Sequence, residues 1–253
     1  MISVIVLGTG NVGTHLINAF LKAKNVKLLQ VYSRKKTSLK FIEAKVSSTS
    51  KLEELKEADV YIVAISDDAI SDFSIQLKIK NKLVVHTSGS VAMQALKTNA
   101  HKGVFYPLQT FSKKNHVDFR NVPICLETEN ENDLIVLEKV ASAISKNVYF
   151  IDSNQRKYLH VAAVFTNNFV NHIYKIGFDI CKKHDIPFET LHPLILETAS
   201  KVVQNNPNNI QTGPAHRKDK KTIASHLALL SGDEKNIYNI LTESIEKTYG
   251  EKL

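Results

Sequence analysis

Hydrophobic and polar positions change their rhythm partway along this chain. Up to about residue 152 the apolar residues come in short unbroken runs: Ser3 to Gly8 (SVIVLG), Val26 to Ser33 (VKLLQVYS), Asp59 to Ser66 (DVYIVAIS) and Lys82 to Ser90 (KLVVHTSGS), with Gly103 to Pro107 (GVFYP) as one more. Continuous apolar runs of this length mark strands buried on both faces. Between them lie helical patterns at Asn11 to Ala23 and near Glu131 to Ser145, the second bracketed by VPICLE and NVYFID. Alternating strands and helices predict an α/β fold with a mostly parallel sheet covered on both faces.

After about Asp152 no strand pattern remains. Helical spacing fits Gln155 to His184, Pro187 to Asn205, Thr222 to Leu230 and Glu234 to Tyr249. The breaks, HDIPF, NNPNN, QTGPAH and SGD, carry turn chemistry. The expected organisation is a sheet domain over 1–152 and an all-helical domain over 153–253.

Composition narrows the class. The chain has 253 residues, 43% hydrophobic and 23% charged, as in an ordinary globular protein. No window approaches the roughly 18 apolar residues of a membrane span, and MISVIVLGTG lacks the basic start of a signal peptide. The two cysteines, Cys125 and Cys181, form no disulfide framework and no metal-ligand spacing, so a reducing cytoplasm is expected. Neither His101, His184 nor His192 has a partner at metal-ligand spacing, and no metal site is expected. The net charge of +8 is spread along the chain, clustering only at Arg34 to Lys36 and Arg217 to Lys221. No nucleic-acid motif accompanies it, and a small anionic ligand explains the clusters at least as well.

The candidate chemistry begins at VLGTGNVG. Gly8, Gly10 and Gly13 form a G-x-G-x-x-G pattern between a buried strand and a helix. Gly8 permits the tight turn, Gly10 lets backbone approach a pyrophosphate, and Gly13 lets the helix pack close to the strand. Thr9, Asn11 and Val12 complete a turn whose helix N-terminus faces the phosphates. This is the dinucleotide signature of a Rossmann-type sheet. The acidic residue that would bind the ribose hydroxyls of NAD is missing. Ser33, Arg34 and Lys35 stand there instead, a hydroxyl and cations suited to a 2′-phosphate, so the expected cofactor is NADP. Ser66, Asp67, Thr87 and Ser88 follow apolar strands and should edge the crevice at the carboxyl ends of the sheet. His86, at a strand end, reads as structural as readily as functional.

The stretch Lys157 to Gly177 (KYLHVAAVFTNNFVNHIYKIG) has an unusual polar face. On a uniform helical wheel His160, Val164, Asn167, Asn171 and Tyr174 share one side, with Asn168 beside them. Phe165, Phe169 and Ile173 take the other. A solvated face is normally Lys and Glu, which are better helix formers than Asn. Two readings follow: an interhelical hydrogen-bond network, or a wall that faces a substrate.

The segments LGTGNVG, VYSR, HTSGS, GVFYPLQTFSK, HVAAVFTNNFVNH and TGPAHRKD resemble a Rossmann-like NADP oxidoreductase family with an uncharacterised helical C-terminal domain, over essentially the whole chain. The chain is more distantly similar to pyrroline-5-carboxylate reductase, ketopantoate reductase and the β-hydroxyacid dehydrogenases. Those relatives imply an active site where a long helix follows the Rossmann domain, and a homodimer through the helical domain. The β-hydroxyacid dehydrogenases carry a lysine three residues before an asparagine pair. Here the pair matches Asn167 and Asn168, but the lysine position is Val164. One turn earlier stands His160, and an imidazole titrates in the range where it can give a proton to a forming alkoxide or amine.

VFYPLQTF resembles the His-Pro-Met loop of prephenate and arogenate dehydrogenases, with Tyr106 in place of His. Tyr106 and Gln109 are candidates for a substrate carboxylate or carbonyl, as are Thr212 and Arg217 in QTGPAHRKD. Pro214 suits the first turn of the helix that follows. The expectation is an NADPH-dependent reductase of a small carbonyl or imine acid, with hydride transfer between the domains. In it His160 is the acid, and Asn167 and Asn171 orient substrate. The alternative is an NADP(H)-binding sensor without turnover, and a deazaflavin partner is implied only by the N-terminal resemblance.

Overall fold

The computed structural model describes residues 1–112 and 116–249. Its sheet holds eight strands: β1 (Ile2–Leu7), β2 (Val26–Tyr32), β3 (Ser47–Thr49), β4 (Val60–Val63), β5 (Leu83–His86), β6 (His101–Pro107), β7 (Ile124–Thr128) and β8 (Val148–Phe150). Their order is β3-β2-β1-β4-β5-β6-β7-β8. Pairing is parallel except between β6 and β7. The chain therefore leaves β1 in both directions, to β2 and to β4, which makes the switch point of a Rossmann sheet. The unbroken apolar runs are the central strands: β4 and β5 are buried at every residue.

Each face of the sheet has its own core. Val4, Val6, Leu16, Phe20, Phe105 and Leu137 belong to one, beside α1 (Asn11–Phe20) and α3 (Glu131–Ser142). Ile5, Leu7, Tyr61, Val63 and Phe73 belong to the other, beside the short α2 (Ile70–Ile75). Alternate residues of β1 thus point to opposite cores, as the two-residue period of a strand requires.

No strand follows Phe150 among the described residues. α4 (Ser153–Ala163) begins at a capping box: Asp152 accepts from the backbone N–H of Gln155, whose side chain accepts in return from that of Asp152. The next residues, Val164–Phe169, are π-helical, and α5 (Val170–Lys183) continues from them. Then come α6 (His192–Gln204), α7 (Lys220–Leu229) and α8 (Gly232–Tyr249). By compactness the chain divides into Met1–Val164 and Phe165–Leu253, so α4 groups with the sheet.

Two local expectations fail for identifiable reasons. A uniform wheel does not describe Lys157 to Gly177, because Val164–Phe169 are π-helical, with i→i+5 in place of i→i+4 bonding. Pro214 opens no helix: α7 starts at Lys220, where Asp219 accepts from the backbone N–H of Thr222 at 3.1 Å.

Candidate active site

The glycine turn lies where β1 and β4 end. Gly8 has φ of +123°, and a Cβ there would stand 2.2 Å from the carbonyl oxygen of Ala64. A Cβ on Gly13 would stand 2.2 Å from the carbonyl oxygen of Gly8, so helix and turn touch through backbone. At Gly10 the nearest atom would be 4.0 Å away, leaving room on the side where a phosphate would approach.

α1 has no side-chain cap and no acidic residue in its first turn. By contrast, Asn130 caps α3, which carries Glu131 and Asp133 in its first turn. The N–H groups at the start of α1 are thus left for an external anion. A cavity of about 780 Å³ opens here. Gly8, Thr9, Gly10, Asn11, Val12, Ser33, Arg34, Lys35 and Ser66 line it. Tyr32, Ser38, Asp68, Asp72 and Gln76 line it too, and sequence reading had not singled these out.

The basic side of the cavity fits a 2′-phosphate. The Thr9 hydroxyl donates to Ser33 Oγ at 2.9 Å, so Ser33 keeps its own hydrogen to give. Arg34 and Lys35 are exposed and form no ion pair among the described residues. No carboxylate follows β2 in the sequence before Glu43.

Asp67, Thr87 and Ser88 do not line this cavity. Ser88 Oγ donates to Asp67 Oδ2 at 2.8 Å and accepts from the backbone of Ser90 and Val91. These bonds tie the loop after β5 to the loop after β4. Buried Thr87 donates its backbone N–H to Val63. His86 is fully buried, and its Nδ1 accepts from the backbone N–H of Ser88 at 3.2 Å. Burial, and after it the charge of Arg156, pushes the His86 pKa down to about 4, so the ring is neutral and structural.

The Ser88–Ala92 side of the sheet also receives α4. Arg156, 1% exposed, bonds Glu127 Oε2 through Nη1 at 2.5 Å and the Val91 carbonyl through Nη2 at 2.7 Å. Ser153 donates to Glu127 at 2.7 Å and accepts from Met93 N at 3.0 Å. One turn beyond Arg156, His160 is half-buried, with Nδ1 3.1 Å from the Tyr106 hydroxyl. Tyr106 is buried at the end of β6. Arg156 and Glu127 were not foreseen. An arginine four residues before the histidine, with a glutamate on a strand, is a common pattern with no signature of its own.

The remaining candidates are exposed. Gln109 accepts from the backbone N–H of its neighbour Thr110 at 2.8 Å. Asn167 and Asn171 are exposed in the second unit, as are Thr212 and Arg217. Lys113, the last residue of the GVFYPLQTFSK segment, lies outside the described residues. No group of three His, Cys, Asp or Glu that could hold a metal occurs among the described residues, and no helix is long and apolar enough to cross a membrane.

A parallel sheet with a glycine turn at its switch point, an uncapped helix behind it and a basic pair after β2 is the NADP-binding part of an oxidoreductase. Residues 3–89 match the family model described as NADP oxidoreductase, coenzyme F420-dependent. Residues 122–245 match a domain of unknown function, DUF2520. A crystal structure from Bacteroides fragilis, of a protein assigned as an NADP oxidoreductase, is 39% identical over 97% of this chain and 98% of that one, with a TM-score of 0.85. The chain belongs to this NADP oxidoreductase family, and NADP is its cofactor. The fold is also that of an imine reductase from Myxococcus stipitatus in complex with NADP+, at 15% identity over 99% and 95% of the two chains (TM-score 0.69). A reductive aminase from Aspergillus terreus, in complex with NADPH and ethyl levulinate, is 14% identical over 100% and 95% (TM-score 0.71). No curated protein sequence matches the chain.

Proposed function

We propose that the protein is an NADPH-dependent reductase of a small carbonyl or imine acid, with His160 as proton donor. Bound NADPH would supply the hydride. The glycine turn and α1 would hold the pyrophosphate, and Ser33, Arg34 and Lys35 the 2′-phosphate. Asn167 and Asn171 would orient substrate; Gln109, Thr212 and Arg217 would meet its carboxylate.

The observation that carries this reading is the fixed position of His160. It sits one turn from a buried arginine clamp and against the loop that ends β5, the strand next to the switch-point pair. That is a titratable side chain held at the carboxyl edge of a Rossmann sheet, where ligands of such sheets bind. The reductase and reductive aminase with this fold, in complex with NADP+ or NADPH, support the choice of carbonyl and imine substrates.

A homodimer through the helical unit belongs to the same proposal. Among the described residues of 165–249, Cys181 and Ala215 alone are buried. Phe165, Leu194 and Leu196 are each more than 60% exposed. So much exposed apolar surface supports a partner for this unit.

The test is NADPH oxidation against a panel of 2-oxo acids and cyclic imines. With an accepted substrate, His160→Ala should lower turnover by about 10²–10⁴-fold, the scale of general acid catalysis, and leave NADPH affinity unchanged. Tight NADPH binding with no oxidation across the panel would make the protein a binding module instead.

A further inference from the structure

Three elements converge on one point beside β6. Tyr106 ends the strand, Gly89 follows β5, and His160 projects from α4. The phenol oxygen lies 3.1 Å from Nδ1, and the rings meet edge-on with centroids 6.2 Å apart. A Cβ on Gly89 would stand 2.7 Å from His160 Nδ1, 2.7 Å from Tyr106 Cζ and 2.9 Å from the phenol oxygen. There is no room for a methyl group, so only glycine permits this contact.

Among the described residues the Tyr106 hydroxyl has one hydrogen-bond partner, Nδ1 of His160. Burial first, with Cys125 next, pushes the Tyr106 pKa up to about 12, so the hydroxyl keeps its hydrogen at ordinary pH. The other ring nitrogen, Nε2, makes no hydrogen bond among the described residues and is not sealed from solvent. It is the ring nitrogen available to a reacting atom.

Resting on the reductase reading, we infer that Tyr106 is a positioning residue rather than a substrate ligand: its hydroxyl holds Nδ1 of His160 before and after proton transfer and leaves Nε2 as the working nitrogen. A hydroxyl can do this because it both donates and accepts. With the ring charged, Nδ1–H donates to the phenol oxygen. In turnover the Nε2–H bond would break, and its proton would pass to the substrate oxygen or nitrogen that gains negative charge as the hydride NADPH would supply is accepted. The substrate would be reduced and NADPH oxidised, and the ring would be left neutral with its hydrogen on Nδ1. Water would then return a proton to Nε2 and remove the one on Nδ1, so that at rest the bare Nδ1 takes the phenol hydrogen and the ring carries its own hydrogen on Nε2. A carboxylate in place of Tyr106 could only accept, and a phenylalanine could do neither.

The test reads the ring directly. In full-length protein labelled with 15N-histidine, the neutral His160 ring should show the Nε2–H form. Tyr106→Phe keeps the aromatic packing and should move the Nδ1 resonance and mix the two tautomers. Gly89→Ala should do the same by wedging the rings apart. With an accepted substrate, Tyr106→Phe should lower kcat by about 10–100-fold, the scale of a misplaced catalytic group, with KM for NADPH unchanged. The Nε2–H form in the unsubstituted protein, lost in Tyr106→Phe, supports the inference. An Nδ1–H form, or a spectrum unaltered by Tyr106→Phe, overturns it whatever the substrate panel shows. A panel without turnover defeats the reductase reading, while the nitrogen spectrum still decides whether Tyr106 holds the ring.

Discussion

The sheet unit and the helical unit treat apolar side chains in opposite ways. In the first, both faces of one sheet are sealed, and Val4, Ile5, Val6 and Leu7 of β1 are all fully buried. In the second, Leu196 is 70% exposed, Leu229 80% and Val203 86%. The sheet unit buries the apolar residues of its central strands, and its exposed ones, such as Ile75 and Phe150, lie outside them. In the proposed homodimer these residues of the helical unit would be covered, since a buried leucine or valine contributes about 1.5–3 kcal/mol that an exposed one does not.

The sharpest way to break this contrast is to charge the exposed apolar face. On a monomer, Leu196→Glu or Val203→Glu should change stability by no more than about 0.5 kcal/mol. In a two-fold dimer each substitution removes its side chain twice and should weaken association by about 3–6 kcal/mol. Sedimentation equilibrium at micromolar concentration checks this. The unsubstituted protein should sediment as a dimer and the variants as monomers. A monomeric unsubstituted protein would leave the apolar face unexplained and remove the contrast.

The next effect belongs to the sheet unit alone. His86 has a pKa of about 4 in the fold against 6.5 in the open chain, because burial and then Arg156 disfavour its charged form. The unfolded chain therefore binds the proton first. The contribution of His86 is fully present above pH 6.5 and is lost as the pH falls from about 6.5 to about 4, by about 3 kcal/mol. His86→Asn, which can still accept from the Ser88 N–H, should flatten this part of the stability profile. Urea denaturation at pH 7 and pH 4.5 on both proteins measures the difference. Equal losses in the two would mean that other groups carry the acid sensitivity.

The same contrast explains what could be read in advance. Parallel strands buried on both faces announce themselves as apolar runs, so β1, β4 and β5 were legible. The glycine turn was legible because close backbone contact at Gly8 and Gly13 admits no other residue. Ser33 and Arg34 stood out through their distance from that turn, and both line the cavity beside it. β3 was not: three residues, SST, hold their place by pairing with β2 and have no apolar pattern. The π stretch was not, since VFTNNF carries nothing that distinguishes i→i+5 from i→i+4 bonding. The closeness of Gly89, Tyr106 and His160 was not either, because it depends on how two strand ends and a helix meet in space. Local chemistry shows in a sequence, whereas contacts between distant segments show only in the fold.

The smallest effect sharpens the comparison by leaving most of the molecule untouched. Arg34 is exposed at the rim of the cofactor cavity and makes no ion pair among the described residues. Its removal should cost the fold almost nothing, as for surface substitutions generally. If its guanidinium meets the 2′-phosphate, Arg34→Ala should weaken NADPH binding by about 1.5–3 kcal/mol, the scale of a hydrogen bond to a charged group. NADH lacks that phosphate and should bind the variant and the unsubstituted protein alike. Sedimentation should be unaltered too, because the residue belongs to the sheet unit and the proposed interface to the helical one. Fluorescence titration with each cofactor measures both affinities. An equal loss for NADPH and NADH would place Arg34 on the shared part of the dinucleotide. No loss for either would move the 2′-phosphate contact to Ser33 and Lys35.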